Sequence, residues 1–294
     1  MSNIQEITPH IAHKLIAEQF PEYAHLPVTE VEKQGHDNRT YRLGNKLLIR
    51  MPTSEEYALK VGIEQELLPK LALHLSLNIP VPVKRGEPSN YYPYPFSIYS
   101  WLKGVSINLL TLSEDELKQL AFDLAKFLKE LQSITKVSGP APGQHNFWRG
   151  DHLMVYNKET HEQIQKLSDI INANQALSIW EEACKTKWHK PPVWIHGDFA
   201  IGNILYKDGK LTSIIDFGGM ALGDPACDLV IAWTFLKEKA RDVFIHEIDL
   251  DNDTWLRAQG WALWKATFEL CEIEDKNSLE ARKQKKIIED VLEA

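Results

Sequence analysis

The sequence predicts an α+β protein: an N-terminal lobe of antiparallel β-sheet with helix, followed by a larger, mainly helical C-terminal lobe. Three observations predict it. Apolar residues alternate with a period of two between residues 28 and 51, and strong helical stripes dominate from residue 113 onward. The 294 residues, 44% hydrophobic and 25% charged, have globular composition and a length suited to about two domains. A formal net charge of −8 argues against a broad electrostatic grip on nucleic acid or on an anionic membrane, and suits a cationic small partner. Cys184, Cys227 and Cys271 show no CxxC spacing, so no zinc site and a reducing compartment are expected. The opening MSNIQEITPHIAHK has no positively charged, apolar leader pattern, and no apolar run long enough to span a bilayer occurs; the expectation is a soluble, cytoplasmic protein.

The elements follow in order. Thr8-Pro9 caps and opens a first helix over residues 8–20, with Ile11, Leu15 and Ile16 on one face. VTEVEKQ (28–34), TYRL (40–43), the turn Gly44-Asn45 and KLLIRM (46–51) make an antiparallel meander. Thr53 and Glu56 form a capping box for a helix striped by Val61, Leu67, Leu68, Leu71 and Leu75, which Pro69 bends or shortens. Short strands at 81–84 and 96–101 are bounded by prolines. After Trp101-Leu102-Lys103-Gly104 the pattern changes. Ser113 and Glu116 cap a helix whose stripe runs Leu117, Leu120, Ala121, Leu124, Phe127, Leu128, Leu131. Further helices are expected at 160–188, 226–240, 253–272 and 278–292, with short strands and a loop at 193–217. The lobes are therefore expected at 1–102 and 103–294.

Chemistry concentrates in residues 194–229. His196-Gly197-Asp198 is followed by Asn203, and Asp216 stands in Ile-Asp-Phe-Gly. A hairpin through the turn Asp208-Gly209 brings Asp216 back beside Asn203. Two carboxylates and a carboxamide are what phosphoryl transfer requires: oxygen ligands for Mg²⁺ on the phosphates, and a carboxylate to orient the incoming hydroxyl. The pattern His-x-Asp-x4-Asn with Ile-Asp-Phe-Gly resembles the catalytic and metal-binding loops of the protein-kinase-like superfamily. His196-Gly197-Asp198, together with Gly223-Asp224-Pro225-Ala226-Cys227-Asp228-Leu229, resembles more narrowly the aminoglycoside phosphotransferase family. The resemblance implies a bilobal protein-kinase-like fold, ATP (or GTP) and Mg²⁺ as cofactors, Asp198 as the catalytic carboxylate, and Asn203 and Asp216 as metal ligands. It also implies a small-molecule acceptor, with a cationic aminoglycoside leading and a macrolide, a choline- or homoserine-like amino alcohol or a sugar as alternatives.

The N-terminal lobe then supplies the nucleotide site. Residues 34–40 sit where kinases place a loop over the phosphates, with donors from the backbone and from Asn38 or Thr40. Arg50 stands where the resemblance implies lysine, and Leu48, two residues earlier on the same face, lines the adenine pocket. Helical phase makes Glu64 the partner of Arg50, with Glu66 the fallback. Backbone groups of Ser100 and Leu102 would pair with the base. His196, Asp224 and Asp228 are read as structural groups bracing the loops, with Asp224 an alternative contributor to the acceptor region. His10 and His13 read as an exposed polar face, and Trp261, Trp264 and Phe268 as core, with a wall of the acceptor pocket as the alternative. Glu238, Asp242, Glu269, Glu272 and Glu274 are surface acids or contacts for a polycation. A non-catalytic nucleotide-binding pseudokinase is the alternative of a different class. A protein kinase is disfavoured, because only seven residues separate Asp216 from Asp224.

Overall fold

The structure, a computed structural model, describes residues 7–32 and 34–293. Residues 1–6 of the opening segment, and Lys33 within the first expected strand, lie outside the described residues. The chain divides into two compact units, Met1–Gly104 with Thr212–Gly218, and Val105–Leu211 with Gly219–Ala294.

In the first unit, helix α1 (Pro9–Gln19) begins where Thr8 Oγ1 accepts a hydrogen bond from the Ile11 amide, with proline in the first turn as the sequence predicts. Its buried face, Ala12, Leu15 and Ile16, packs with Phe20 against Tyr41, Leu43, Ile49, Met51, Phe96 and Ile98 of the sheet. That sheet runs β1-β2-β3-β5-β4, all antiparallel: β1 (Val28–Glu30), β2 (Asn38–Leu43), β3 (Leu47–Pro52), β4 (Pro82–Gly86) and β5 (Phe96–Ser100). The period of two fixes its faces. Leu47, Ile49 and Met51 point into the α1 core, which leaves Leu48 and Arg50 on the other face. The first strand is three residues long rather than the seven expected.

Helix α2 (Glu55–Ala72) is capped by Ser54, whose hydroxyl accepts from the Tyr57 amide. Thr53, the expected cap, instead donates its hydroxyl to the His36 and Asp37 carbonyls and ties the preceding loop. Pro69 falls in the last turn, where it removes only one backbone bond, and the helix ends three residues later, at Ala72.

In the second unit β6 (Val105–Ser106) pairs antiparallel with β8 (Ile204–Lys207), and β7 (Val193–Ile195) with β10 (Ala221–Gly223). The turn from β8 into β9 (Lys210–Ile214) has Asp208 and Gly209 at φ of 51° and 74°, the left-handed pair that a two-residue hairpin needs. Helix α3 (Glu114–Gln132) carries the full capping box of Ser113 and Glu116 and buries the stripe read from the sequence.

The expected helix at 160–188 is two, α4 (Asn157–Lys166) and α5 (Ala173–Lys185), the second capped by Asn172. The one expected at 226–240 is a 3-10 turn (Pro225–Val230), a short α6 (Ile231–Thr234) and then α7 (Glu238–Ile248). Helices α8 (Asn252–Glu272) and α9 (Leu279–Leu292) fall where expected. Trp261 and Trp264 are buried, while Phe268, read as core, stays partly exposed. Among the described residues no helix is long and apolar enough to cross a membrane.

Candidate active site

In the first unit Arg50 projects from β3 on the face opposite the α1 core. Its Nη2 donates to Asp216 Oδ1 at 2.8 Å, and its Nη1 lies 3.7 Å from Glu64 Oε1 on α2. Glu66, the fallback, faces outward and pairs with Lys70 one turn on, so helical phase chose correctly. Glu64 is braced further by the Tyr99 hydroxyl, which donates to its Oε2. Burial opposes the charge on Arg50, yet Asp216 and Glu64 outweigh it and hold the guanidinium firmly protonated. Asp216 itself sits at φ 67°, a left-handed conformation that a non-glycine residue adopts at a cost.

The loop before β2 is closed by Gln34, whose side chain donates to the Thr40 carbonyl (2.9 Å) and accepts from the Thr40 amide (2.8 Å). The Thr40 backbone is thereby already bonded, while Asn38 begins β2 opposite Pro52. Lys60 on α2 reaches Asp37 at 2.9 Å and adds a second cation near this loop, which the sequence reading missed. Leu48 lies opposite Tyr99 in the sheet. Ser100 ends β5 opposite Leu47, and Leu102 follows it, partly buried, outside regular structure.

The second unit holds the other group. Asn203 Nδ2 donates to the Asp198 carbonyl (3.0 Å) and approaches its Oδ2 (3.4 Å). That commits the amide N–H₂ and leaves the carbonyl oxygen as an acceptor, a hard ligand suited to Mg²⁺, as is the half-exposed Asp216 carboxylate in the first unit. His196 and Asp228 are buried, and they hold the loop as expected. Asp228 accepts from the His196 amide (2.6 Å) and the Gly197 amide (2.8 Å), and His196 Nδ1 accepts from the Asp198 amide (3.2 Å). Burial pushes the Asp228 carboxyl up despite these donors.

Glycine at 197 is dictated twice. Its φ is 81°, and a Cβ there would lie 2.0 Å from the Gly219 carbonyl oxygen. Asp224 caps the turn at Pro225 through the Ala226 amide (3.0 Å) and forms a buried ion pair with Arg257 of α8, Nε to Oδ2 2.5 Å. Burial nevertheless raises its carboxyl pKa. Of its two sequence readings, loop bracing is the one these contacts describe.

Two cations that the sequence reading missed complete the surroundings of Asp198. Lys265 Nζ lies 3.0 Å and Arg149 Nη1 3.7 Å from its Oδ1. Burial pushes the Asp198 carboxyl up, but Lys265 and Arg149 overcome it and hold the pKa down at about 2. Arg149 is fixed by a bond to the Gly197 carbonyl (2.9 Å), in a loop where Phe147 and Trp148 are both left-handed. The signal for Lys265 was present: a single cation inside the apolar run Trp261-Ala262-Leu263-Trp264-Lys265-Ala266. Arg149 had none beyond the Gly- and Asn-bearing segment around it.

A profile of the phosphotransferase enzyme family matches residues 28–262, which contain both groups. The chain belongs to that family. Similar curated proteins include aminoglycoside 3'-phosphotransferases of Salmonella typhimurium (29% identical over 119 residues) and Escherichia coli (30% over 116), each match covering 39% of this chain and 42% of the relative. A hygromycin-B 4-O-kinase of Escherichia coli is 25% identical over 51% of this chain and 45% of its own. The chain thus spans less than half the length of these curated relatives.

Among solved structures, the GDP and kanamycin complex of APH(2")-IIia superposes with a TM-score of 0.74 at 23% identity, over 97% of this chain and 98% of that one. Macrolide 2'-phosphotransferase MphH from Brachybacterium faecium superposes with 0.58 at 17% identity, over 95% and 97%. At such identities the likeness is one of fold. The family membership and the α+β class read from the sequence both hold.

Proposed function

We propose that this phosphotransferase-family chain is a small-molecule kinase that transfers the γ-phosphoryl group of ATP, with Mg²⁺, to a hydroxyl of its acceptor. The observation that carries the reading is the bonded set Arg50, Glu64 and Asp216, assembled in one unit although Arg50 and Asp216 stand 166 positions apart in the chain. A basic side chain on the third strand, held by a helix carboxylate, is the arrangement by which kinase-like proteins aim a cation at nucleotide phosphates. Arginine does so with a planar fork that can make two parallel bonds to a phosphate.

Asn203 and Asp216 are the residues that would hold Mg²⁺. When bound, it would neutralise charge on the phosphates. Asp198 orients the acceptor hydroxyl and takes its proton late along a loose transition state. Held near pKa 2, it is a weak base, so alignment rather than proton abstraction is its main contribution. The loop braced by Asp228 and His196 fixes the direction of Asp198. Leu48, Ser100 and Leu102 serve the nucleotide base, and Asn38 and Thr40 its phosphates.

The relatives are named for aminoglycosides, so that class leads the acceptor panel, with macrolides, amino alcohols and sugars beside it. The test is ATP turnover by the wild type and by Asp198→Ala across that panel. Acceptor-dependent turnover that the substitution abolishes supports the reading. Turnover that survives it, or failure to bind Mg-ATP, overturns it. Binding of Mg-ATP with no turnover across the whole panel favours the pseudokinase.

A further inference from the structure

Helix α2 carries two buried ionic side chains one turn apart, Lys60 and Glu64, 9% and 6% exposed. Charged residues are rarely buried so deeply unless each has a partner. Glu64 holds Arg50. Lys60, four positions earlier and so on the same helix face, donates from Nζ to Asp37 Oδ2 at 2.9 Å, across 23 positions of chain. Asp37 belongs to the loop whose Asn38 and Thr40 the kinase reading gives to the nucleotide phosphates.

Asp37 is held at both ends. Its carbonyl accepts from the Thr53 amide (3.0 Å) and the Thr53 hydroxyl (3.1 Å) at the entry to α2, while its carboxylate meets Lys60 in the second turn of that helix. The neighbouring His36 lies 3.2 Å, through Nδ1, from the hydroxyl of Tyr57, also on α2. The lysine stem is placed as closely. A Cβ at Gly218, the glycine of Ile-Asp-Phe-Gly, would lie 3.3 Å from Lys60 Cδ, 3.4 Å from Glu64 Oε1 and 3.7 Å from Asp216 Oδ1, so glycine there leaves the room in which these three groups meet. Asp37, Arg50, Lys60, Glu64, Asp216 and Gly218 all belong to the first unit. An ion pair whose acid is as open as Asp37, with 37% of its side chain exposed, adds little to stability, so its worth lies in what it positions.

We propose that Lys60 is a positioning residue for the nucleotide: through Asp37 it straps the loop 34–40 to α2, the helix whose Glu64 holds Arg50. One helix face thereby sets both the loop and the strand cation that meet the phosphates. The inference rests on the kinase reading of Arg50, Glu64 and Asp216, and deepens it. Lys60 acts through Asp37 and is not itself a phosphate ligand. The two roles differ in sign once Asp37 is removed. Were Lys60 a phosphate ligand, loss of the competing carboxylate would free it and tighten nucleotide binding. As a strap, loss of Asp37 releases the loop, and binding weakens because the nucleotide must then order it.

The experiment measures calorimetric affinities for adenosine and Mg-ADP, and amide exchange at Thr40 and Thr53, in the wild type, Lys60→Met and Asp37→Ala. The Thr40 amide is bonded to Gln34 Oε1 and the Thr53 amide to the Asp37 carbonyl, so both report whether the loop is held. Expected in both variants are exchange about tenfold faster at those amides, Mg-ADP binding about tenfold weaker, and adenosine binding within about twofold of the wild type. Mg-ADP binding unchanged or tighter in Asp37→Ala overturns the proposal, as does exchange unchanged in both variants, or adenosine binding that falls as far as Mg-ADP binding. Exchange in the buried strand β5, unchanged from the wild type, shows that a variant is folded. Should Lys60→Met fail that check, Asp37→Ala, altered only at a half-exposed loop side chain, decides. A wild type that binds neither adenosine nor Mg-ADP strikes the kinase reading instead, and the strap is then upheld or overturned by the exchange alone.

Discussion

At Arg50 the identity of a single side chain decides whether one cation reaches two carboxylates. Lysine would keep the charge but lose the fork by which arginine reaches Asp216 and Glu64 at once. Arg50→Lys is expected to raise the KM for ATP about tenfold with a smaller change in kcat, measured by steady-state kinetics at saturating acceptor. Asp198 makes the complementary case. Asp198→Asn is expected to lower kcat by about 10²–10⁴.

The pH behaviour of Asp198 follows from its depressed pKa. Its native value of about 2 lies below the unfolded carboxylate range. The ion pair therefore stabilises the fold fully above about pH 4, and that contribution is lost as the pH falls toward about 2. The stability difference between wild type and Asp198→Asn, measured by chemical unfolding, should stay level from pH 5 to 8 and shrink below pH 4. An acid limb in kcat/KM between pH 5 and 8 that Asp198→Asn removes would contradict it.

Among the elements, the turn from β7 into Asp198 depends on a glycine for two separate reasons, a left-handed φ and contact with the Gly219 carbonyl. Gly197→Ala is expected to cost at least ~1–3 kcal/mol from backbone strain alone and to abolish turnover, read by thermal unfolding and by the ATP assay. The start of the 3-10 turn at Pro225 depends on the Asp224–Arg257 pair, both partners nearly inaccessible to water. Removing one partner strands a buried charge. Asp224→Ala should lose about 3–5 kcal/mol, and replacing both partners with apolar residues of similar volume should restore much of it, a cycle that equilibrium unfolding resolves.

For the molecule as a whole, ligand linkage offers the broadest check. Mg-ATP that binds only the native state is expected to add about 2.7 kcal/mol at a hundredfold excess over Kd, raising Tm, and EDTA should abolish most of that shift. A Tm shift indifferent to EDTA would remove Mg²⁺ from the account. The assignment of Thr212–Gly218 to the first unit has a local cause: Asn78 bonds the Thr212 carbonyl and pairs with Ser213, and Arg50 bonds Asp216, so this short segment packs with a unit that precedes it by more than a hundred residues.

Periodicity alone determined much of this protein, because a face buried once along a strand or helix repeats at fixed spacing. The alternation that put Ile49 inward put Arg50 outward, and helical phase selected Glu64 over Glu66. Spacing with fixed residue types singled out Asp198, Asn203 and Asp216, and the structure bonds Asn203 to Asp198 and Asp216 to Arg50. Tertiary structure alone decided which cations meet Asp198 and what fixes the loop around it. Arg149 and Lys265 come from distant segments, and no local pattern encodes a contact made across 49 and 67 positions of chain. The one misplaced cap has the same origin. Thr53 and Ser54 are equally good caps by sequence, and the carbonyls of His36 and Asp37, presented by a separate loop, claimed the first and left the second to the helix.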